Sequence, residues 1–135
     1  MYFSGAHTIG RARCLTFQFR LDANNPSSSL DPTYLETLRQ QCSNGENTLV
    51  DFDPTTPDAF DNNYFTNLQT NRGLLETDQM LFSTPGSDTI ASVDRFAGSQ
   101  TEFFNRFGQS MIALANLGVL TGNSGEVRSN CRRVN

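Results

Sequence analysis

From Asp31 onward, apolar side chains recur at three- and four-residue steps, in segments cut apart by proline, glycine and asparagine. That period puts them on one stripe of a helix, whereas a half-buried strand needs strict alternation. Asp31-Pro32 supplies an N-cap followed by proline at the first helical position, and Tyr34, Leu35, Leu38 and Cys42 then share a face. Asp61 is placed to cap a second helix carrying Tyr64, Phe65 and Leu68 and stopping near Gly73. A short third helix is predicted over 78–82, ended by Pro85-Gly86, and a fourth over 89–97 with Ile90, Val93 and Phe96 inward and Gly98 closing it. The fifth has the strongest pattern. Ser99 and Glu102 stand at capping-box spacing, and Phe103, Phe104, Phe107, Met111, Leu114, Ala115 and Gly118 follow on one stripe. Residues 48–52 make the one strand candidate. The chain therefore reads as mainly α, one domain over 1–135, with long loops and at most short strands.

Those loops, at 22–31, 43–47 and 121–126, are rich in Gly, Asn, Ser and Pro, and long loops in a small domain usually need staples. Only 36% of the 135 residues are hydrophobic, a low share that eleven Phe partly offset because aromatic rings bury large areas. A net charge of −4 without a basic tract argues against nucleic acid as a partner. No apolar stretch approaches the roughly 20 residues of a membrane span, so no membrane partner is expected. Met1-Tyr2-Phe3-Ser4 lacks the basic start and apolar run of a secretion leader. The only sequon-like asparagine, Asn25, is blocked by Pro26.

Chemistry can concentrate in two places. His7 is the single histidine, and imidazole is the commonest metal ligand and general base. Flanked by Ala6 and Ile9, a lone histidine more often packs in a core. Zinc would need cysteines at close spacing, which Cys14, Cys42 and Cys131 do not offer. Haem would need only one histidine, because the porphyrin fills four positions on the iron. The second place is 51–61, where Asp51, Asp53, Asp58 and Asp61 stand with Thr55, Thr56 and two prolines. A rigid, oxygen-rich loop of this kind suits calcium, although the EF-hand glycine and glutamate are absent; its plainer reading is a solvated acidic turn. A bridge between Cys14 and Cys42 would close a loop of roughly thirty residues and contribute about 3–4 kcal/mol; the alternative is two buried thiols. The five glutamates form no close pair, and no phosphate-binding or serine-nucleophile motif is present.

Several segments converge on one family. Ser4-Gly5-Ala6-His7-Thr8-Ile9-Gly10 is followed by Val50-Asp51-Phe52-Asp53, Thr56-Pro57 and Phe60-Asp61-Asn62-Asn63-Tyr64. Then come Arg72-Gly73-Leu74-Leu75 with Thr77-Asp78-Gln79, and Gly125-Glu126-Val127-Arg128-Ser129-Asn130-Cys131. In order and spacing this resembles the C-terminal, proximal half of the plant secretory (class III) haem peroxidases.

The resemblance implies a haem-peroxidase fold whose parent reduces hydrogen peroxide while oxidising phenolic compounds. It implies haem b bound through His7, with Asp78 accepting the hydrogen bond from the other ring nitrogen and Phe52 packed on the ring. It further implies a calcium ion held by the side chains of Thr8, Asp53, Thr56 and Asp61 and a carbonyl at Ala59, a Cys14–Cys42 disulfide, and an extracellular location. In the family a distal histidine and arginine cleave the peroxide, and an N-terminal cysteine pairs with the equivalent of Cys131. This chain has neither a second histidine nor that cysteine, and Tyr2-Phe3 stand where the family has small aliphatic residues. The resemblance therefore implies a chain truncated on its N-terminal side, with little peroxidase turnover of its own. The alternative is a non-catalytic calcium-binding or interaction fragment that does not retain haem.

Overall fold

Local sequence signals start the first and the last of the α-helices. In the computed structural model, which describes residues 2–22, 24–25 and 29–135, α1 spans Pro32–Cys42. The Asp31 carboxylate caps it by accepting the Tyr34 amide at 2.9 Å, and Tyr34 and Leu38 are buried with Leu35 and Cys42 packed beside them. Met1 and Pro26, both used in the reading above, lie outside the described residues. The third, fourth and fifth helices are α3 (Glu76–Ser83), α4 (Thr89–Gly98) and α5 (Gln100–Ala115), and Ser99 caps α5 by accepting the Glu102 amide at 3.3 Å. A 3₁₀ stretch, Tyr2–Thr8, carries His7, and two further short 3₁₀ turns cover Cys14–Thr16 and Gln18–Leu21.

Three expectations need adjustment. The second helix, α2 (Asn63–Gln69), stops before Gly73 because Asn71 takes the left-handed conformation (φ 57°) and ends the turn. Gly73 serves instead for close approach: a Cβ there would stand 2.7 Å from the Leu68 side chain and 2.9 Å from Gln79 Oε1. The strand candidate at 48–52 appears as β2 (Leu49–Asp51), and its partner is a strand the pattern did not announce, β1 (Arg11–Arg13). They pair antiparallel, with Arg11 opposite Asp51, Ala12 opposite Val50 and Arg13 opposite Leu49. Finally, the apolar stripe of α5 is buried only at its start. Phe103 is 1% exposed, whereas Met111 and Leu114 are 43% and 47% exposed.

Two apolar clusters result among the described residues. One joins Ala12, Cys14, Phe17, Leu30, Tyr34, Leu38, Val50 and Leu74, between the small sheet and α1. The other joins Tyr64, Phe65, Leu68, Val93, Phe96 and Phe103, where α2, α4 and α5 meet. Buried Arg20 stitches the first cluster to the entrance of α3, donating to the Gly73 carbonyl at 2.6 Å and to the neighbouring Leu74 carbonyl. Asn62 does comparable work at α4, donating to the carbonyls of Phe96 and Ala97 at 2.9 Å each, two of the groups a helix end leaves unpaired.

The Cys14–Cys42 disulfide is present, spanning 28 residues, and Cys131 is free and exposed. Because the bridge closes the loop between β1 and α1, replacing both cysteines by alanine is expected to destabilise the chain by about 3–4 kcal/mol. Chemical denaturation of the oxidised protein and the double variant measures this.

Candidate functional site

The antiparallel pairing of β1 and β2 decides what His7 meets. His7 lies just before β1 and Phe52 just after β2, and the Phe52 amide donates to the Gly10 carbonyl at 3.0 Å, extending the ladder. The Phe52 ring therefore stacks on the imidazole, with centroids 4.1 Å apart and planes 16° from parallel. Tyr64, from α2, meets the same imidazole edge-on at 6.3 Å and 79°. Phe52 packs on the first apolar cluster and Tyr64 belongs to the second, so His7 sits at their junction.

The third contact is polar. His7 Nδ1 lies 2.9 Å from Asp78 Oδ2, across 71 residues of sequence. Asp78 is only 4% exposed and stands in the first turn of α3, where the positive end of the helix dipole favours a carboxylate. A carboxylate can only accept from an imidazole, so Nδ1 carries the proton and the lone pair of a neutral ring falls to Nε2. The His7 side chain is 33% exposed, so part of the ring is open to a ligand. Phe3 and Ile9, on the same short segment, add apolar surface at 44% and 42% exposure. The hollow of about 730 Å³ beside the Cys14–Cys42 bridge, lined by Leu15, Phe19 and Arg39 among others, does not include His7.

The acidic loop divides into two pairs with different surroundings. Asp51 and Asp58 pair with Arg11 at 2.7 and 3.3 Å, Asp51 half-buried and Asp58 exposed. Asp53 is fully buried. Its Oδ1 accepts the Thr55 and Thr56 amides at 2.7 and 3.1 Å and Asn67 Nδ2 at 2.8 Å, while Oδ2 has the Thr56 hydroxyl at 3.4 Å. Asp61 Oδ1 accepts the Asn63 amide, the first of α2, at 2.8 Å from one residue before the N-cap Asn62, and it takes the Thr8 hydroxyl at 3.3 Å. Asn63 Nδ2 reaches both Thr56 Oγ1 at 3.0 Å and Asp61 Oδ2 at 3.2 Å. Thr8, Asp53, Thr56 and Asp61 thus form one hydrogen-bonded group, with Thr8 and Asp53 at 0% exposure. Among the described residues no three His, Cys, Asp or Glu side chains are grouped as for a metal; this donor set is two carboxylates and two hydroxyls. Such an all-oxygen set fits a hard cation and not zinc or copper.

Sequence reasoning did not single out Asn62, Asn63, Asn67 or Tyr64 as site residues. The signal available for the asparagines was the Asn-Asn pair at the start of α2 with Asn67 one turn beyond Asn63, a polar stripe on a buried helix.

Tyr64 contributes a buried phenol whose oxygen has no hydrogen-bond partner among the described residues. Burial pushes its pKa well above the ordinary phenol value, and the Asp78 charge adds to the push. Burial also raises Tyr34, against which the Arg72 guanidinium stacked at 5.4 Å acts in the opposite sense. Folding raises both values, so the stability they bring is complete below the ordinary phenol pKa near 10.0 and drains away as pH climbs beyond it. Alkaline titration should therefore show the phenolate absorbance of Tyr34 and Tyr64 only together with loss of the fold. A phenolate from either in still-folded protein, assigned with Tyr34→Phe and Tyr64→Phe, would contradict this.

Comparison with known proteins places this arrangement. The peroxidase family model matches residues 1–99. The chain is 58% identical over 132 residues to peroxidase 2 of Cucumis sativus, covering 98% of this chain and 45% of that protein. It is 58% identical over 138 residues to peroxidase 15 of Ipomoea batatas, covering 98% and 42%. Against the lignin-forming anionic peroxidase of Nicotiana tabacum the identity is 55% over 139 residues, covering 98% and 43%. The chain thus spans less than half the length of the relatives it matches. With a family model across most of its length and such close plant relatives, it belongs to the peroxidase family, in the class III branch of plants.

Proposed function

We propose that these residues form the proximal side of a haem peroxidase site, in a protein that reduces hydrogen peroxide while oxidising phenolic donors outside the cell. The observation that carries the reading is the buried Asp78 carboxylate 2.9 Å from Nδ1 of the only histidine. Haem b, when bound, supplies the iron centre that exchanges electrons with peroxide and with the donor. Nε2 of His7 holds that iron. Asp78 fixes the tautomer this requires and lends the imidazole anionic character, which makes it a stronger ligand for oxidised iron. Phe52, stacked on the ring, restricts its rotation. Calcium is held by Thr8, Asp53, Thr56 and Asp61 with the carbonyl of Ala59. Because Thr8 directly follows His7, a cation there ties the histidine segment to the acidic loop. With its single histidine on the iron, the chain has none left for proton transfer at the peroxide.

Titration of the chain with haem, followed by absorbance, tests the first part. His7→Ala should abolish the ligated spectrum, and Asp78→Asn should weaken binding or activity by about 10- to 100-fold. An unchanged spectrum and affinity in His7→Ala would remove His7 as the ligand. The alternative, a calcium-binding fragment without haem, would then stand.

Calcium is tested by thermal unfolding. Free calcium a hundredfold above its Kd should stabilise the fold by about 2.7 kcal/mol. Chelation should remove that increment, and Asp53→Ala should make the melting temperature indifferent to calcium. A wild-type melt unmoved by chelator would return the loop to a bare acidic turn.

A further inference from the structure

We propose that Phe103, near the start of α5, is a positioning residue for His7: its ring is the seat on which the Gly5 backbone rests, and so sets how close the imidazole comes to Asp78. The inference deepens the reading above and rests on its assignment of His7, but it concerns packing that exists without haem.

Gly5 and His7 belong to one short 3₁₀ segment, Tyr2–Thr8, so a displacement at one is carried to the other. Gly5 is buried and its φ is not positive, so its backbone conformation does not itself call for glycine. Space does. A Cβ on Gly5 would stand 2.5 Å from Phe103 Cε2, 3.0 Å from Phe103 Cζ and 3.2 Å from Phe65 Cζ. The Phe103 ring has no room to swing aside. It is 1% exposed, and the rings of Phe60, Phe65, Phe96, Phe104 and Phe107 stand around it with centroids 5.0 to 6.1 Å away. The histidine segment must give instead, by about 1 Å, to restore an ordinary carbon–carbon contact of roughly 3.5 Å. A retreat of that size at Nδ1 breaks the 2.9 Å contact with Asp78.

The same ring also meets the acidic loop. Phe60, one residue before Asp61, stacks on Phe103 with centroids 5.5 Å apart and planes 27° from parallel. Phe103 therefore supports both segments that the Thr8–Asp61 hydrogen bond joins.

The test uses the 135-residue chain without haem, labelled with nitrogen-15 and observed by NMR, where a single histidine gives a single pair of ring-nitrogen signals. The wild type should show one tautomer, with the proton on Nδ1. Gly5→Ala should pull the signals toward the tautomer mixture of an unrestrained imidazole. Phe103→Leu removes the two ring atoms nearest the new methyl, so Gly5→Ala/Phe103→Leu should return the signals to the wild-type pattern. Two substitutions that only weakened the core would instead make the double variant the most perturbed. A folded Gly5→Ala chain with the wild-type pattern overturns the proposal, as does a double variant displaced as far as Gly5→Ala. Should Gly5→Ala not fold, Phe103→Leu alone decides. With the seat removed the His7 signals should move, whereas Val93→Ala, which trims the same cluster from α4, should leave them in place; an equal response to both overturns the proposal. In the wild type itself, absence of a nuclear Overhauser effect between the Gly5 α-protons and the Phe103 ring overturns it outright. Failure of His7 to bind haem would appear in the haem titration and leave these signals untouched, so the two readings fail separately.

Discussion

Three residues paired with three residues hold this structure in register. A two-stranded ribbon of that length is not stable by itself in water. Here Ala12 and Val50 turn inward to the first apolar cluster, Arg11 and Asp51 form an ion pair at 2.7 Å on the other face, and the Cys14–Cys42 bridge follows directly. The supports matter because everything chemical hangs on the ribbon's two ends. The histidine segment enters at one strand and the acidic loop leaves from the other. A slip of one residue would exchange the two faces and carry Phe52 away from His7.

The helices were legible because their signals are local. Asp31-Pro32, Ser99 with Glu102, and apolar residues at three- and four-residue steps act over a few positions and need no distant partner. Strand β1 was not legible, since Arg11-Ala12-Arg13 carries no β-branched or aromatic residue, and its pairing is set by a segment far along the chain. The end of α2 was misplaced for a different reason. Gly73 looked like a helix stop, but Asn71 adopts the left-handed conformation, and Gly73 is needed where Leu68 and Gln79 press on the backbone. Periodicity along α5 marked an apolar stripe correctly without saying how much of it is covered. Only the first turns are.

The site was legible in part, and by another route. His7 stood out by being alone, and the acidic loop by its density of carboxylates, yet residue spacing could not join His7 to Asp78 across 71 positions. The family resemblance suggested that pairing and the Cys14–Cys42 bridge, and the structure brings both pairs together. Neither spacing nor resemblance assigned a role to the asparagines that organise the loop, although Asn63 lies in one of the matching segments. Asn63 and Asn67 earn their place through hydrogen bonds to Thr56, Asp61 and Asp53, contacts that exist only once α2 has packed against the loop.

Arg20 gives the His7–Asp78 contact an uncommon mechanical character. Its guanidinium, rooted just beyond the disulfide, clamps the two carbonyls of Gly73 and Leu74 that lead into α3, the helix bearing Asp78. The segment that leaves His7 therefore also grips the segment that delivers its acceptor. One short stretch of chain thus anchors both sides of the His7–Asp78 contact.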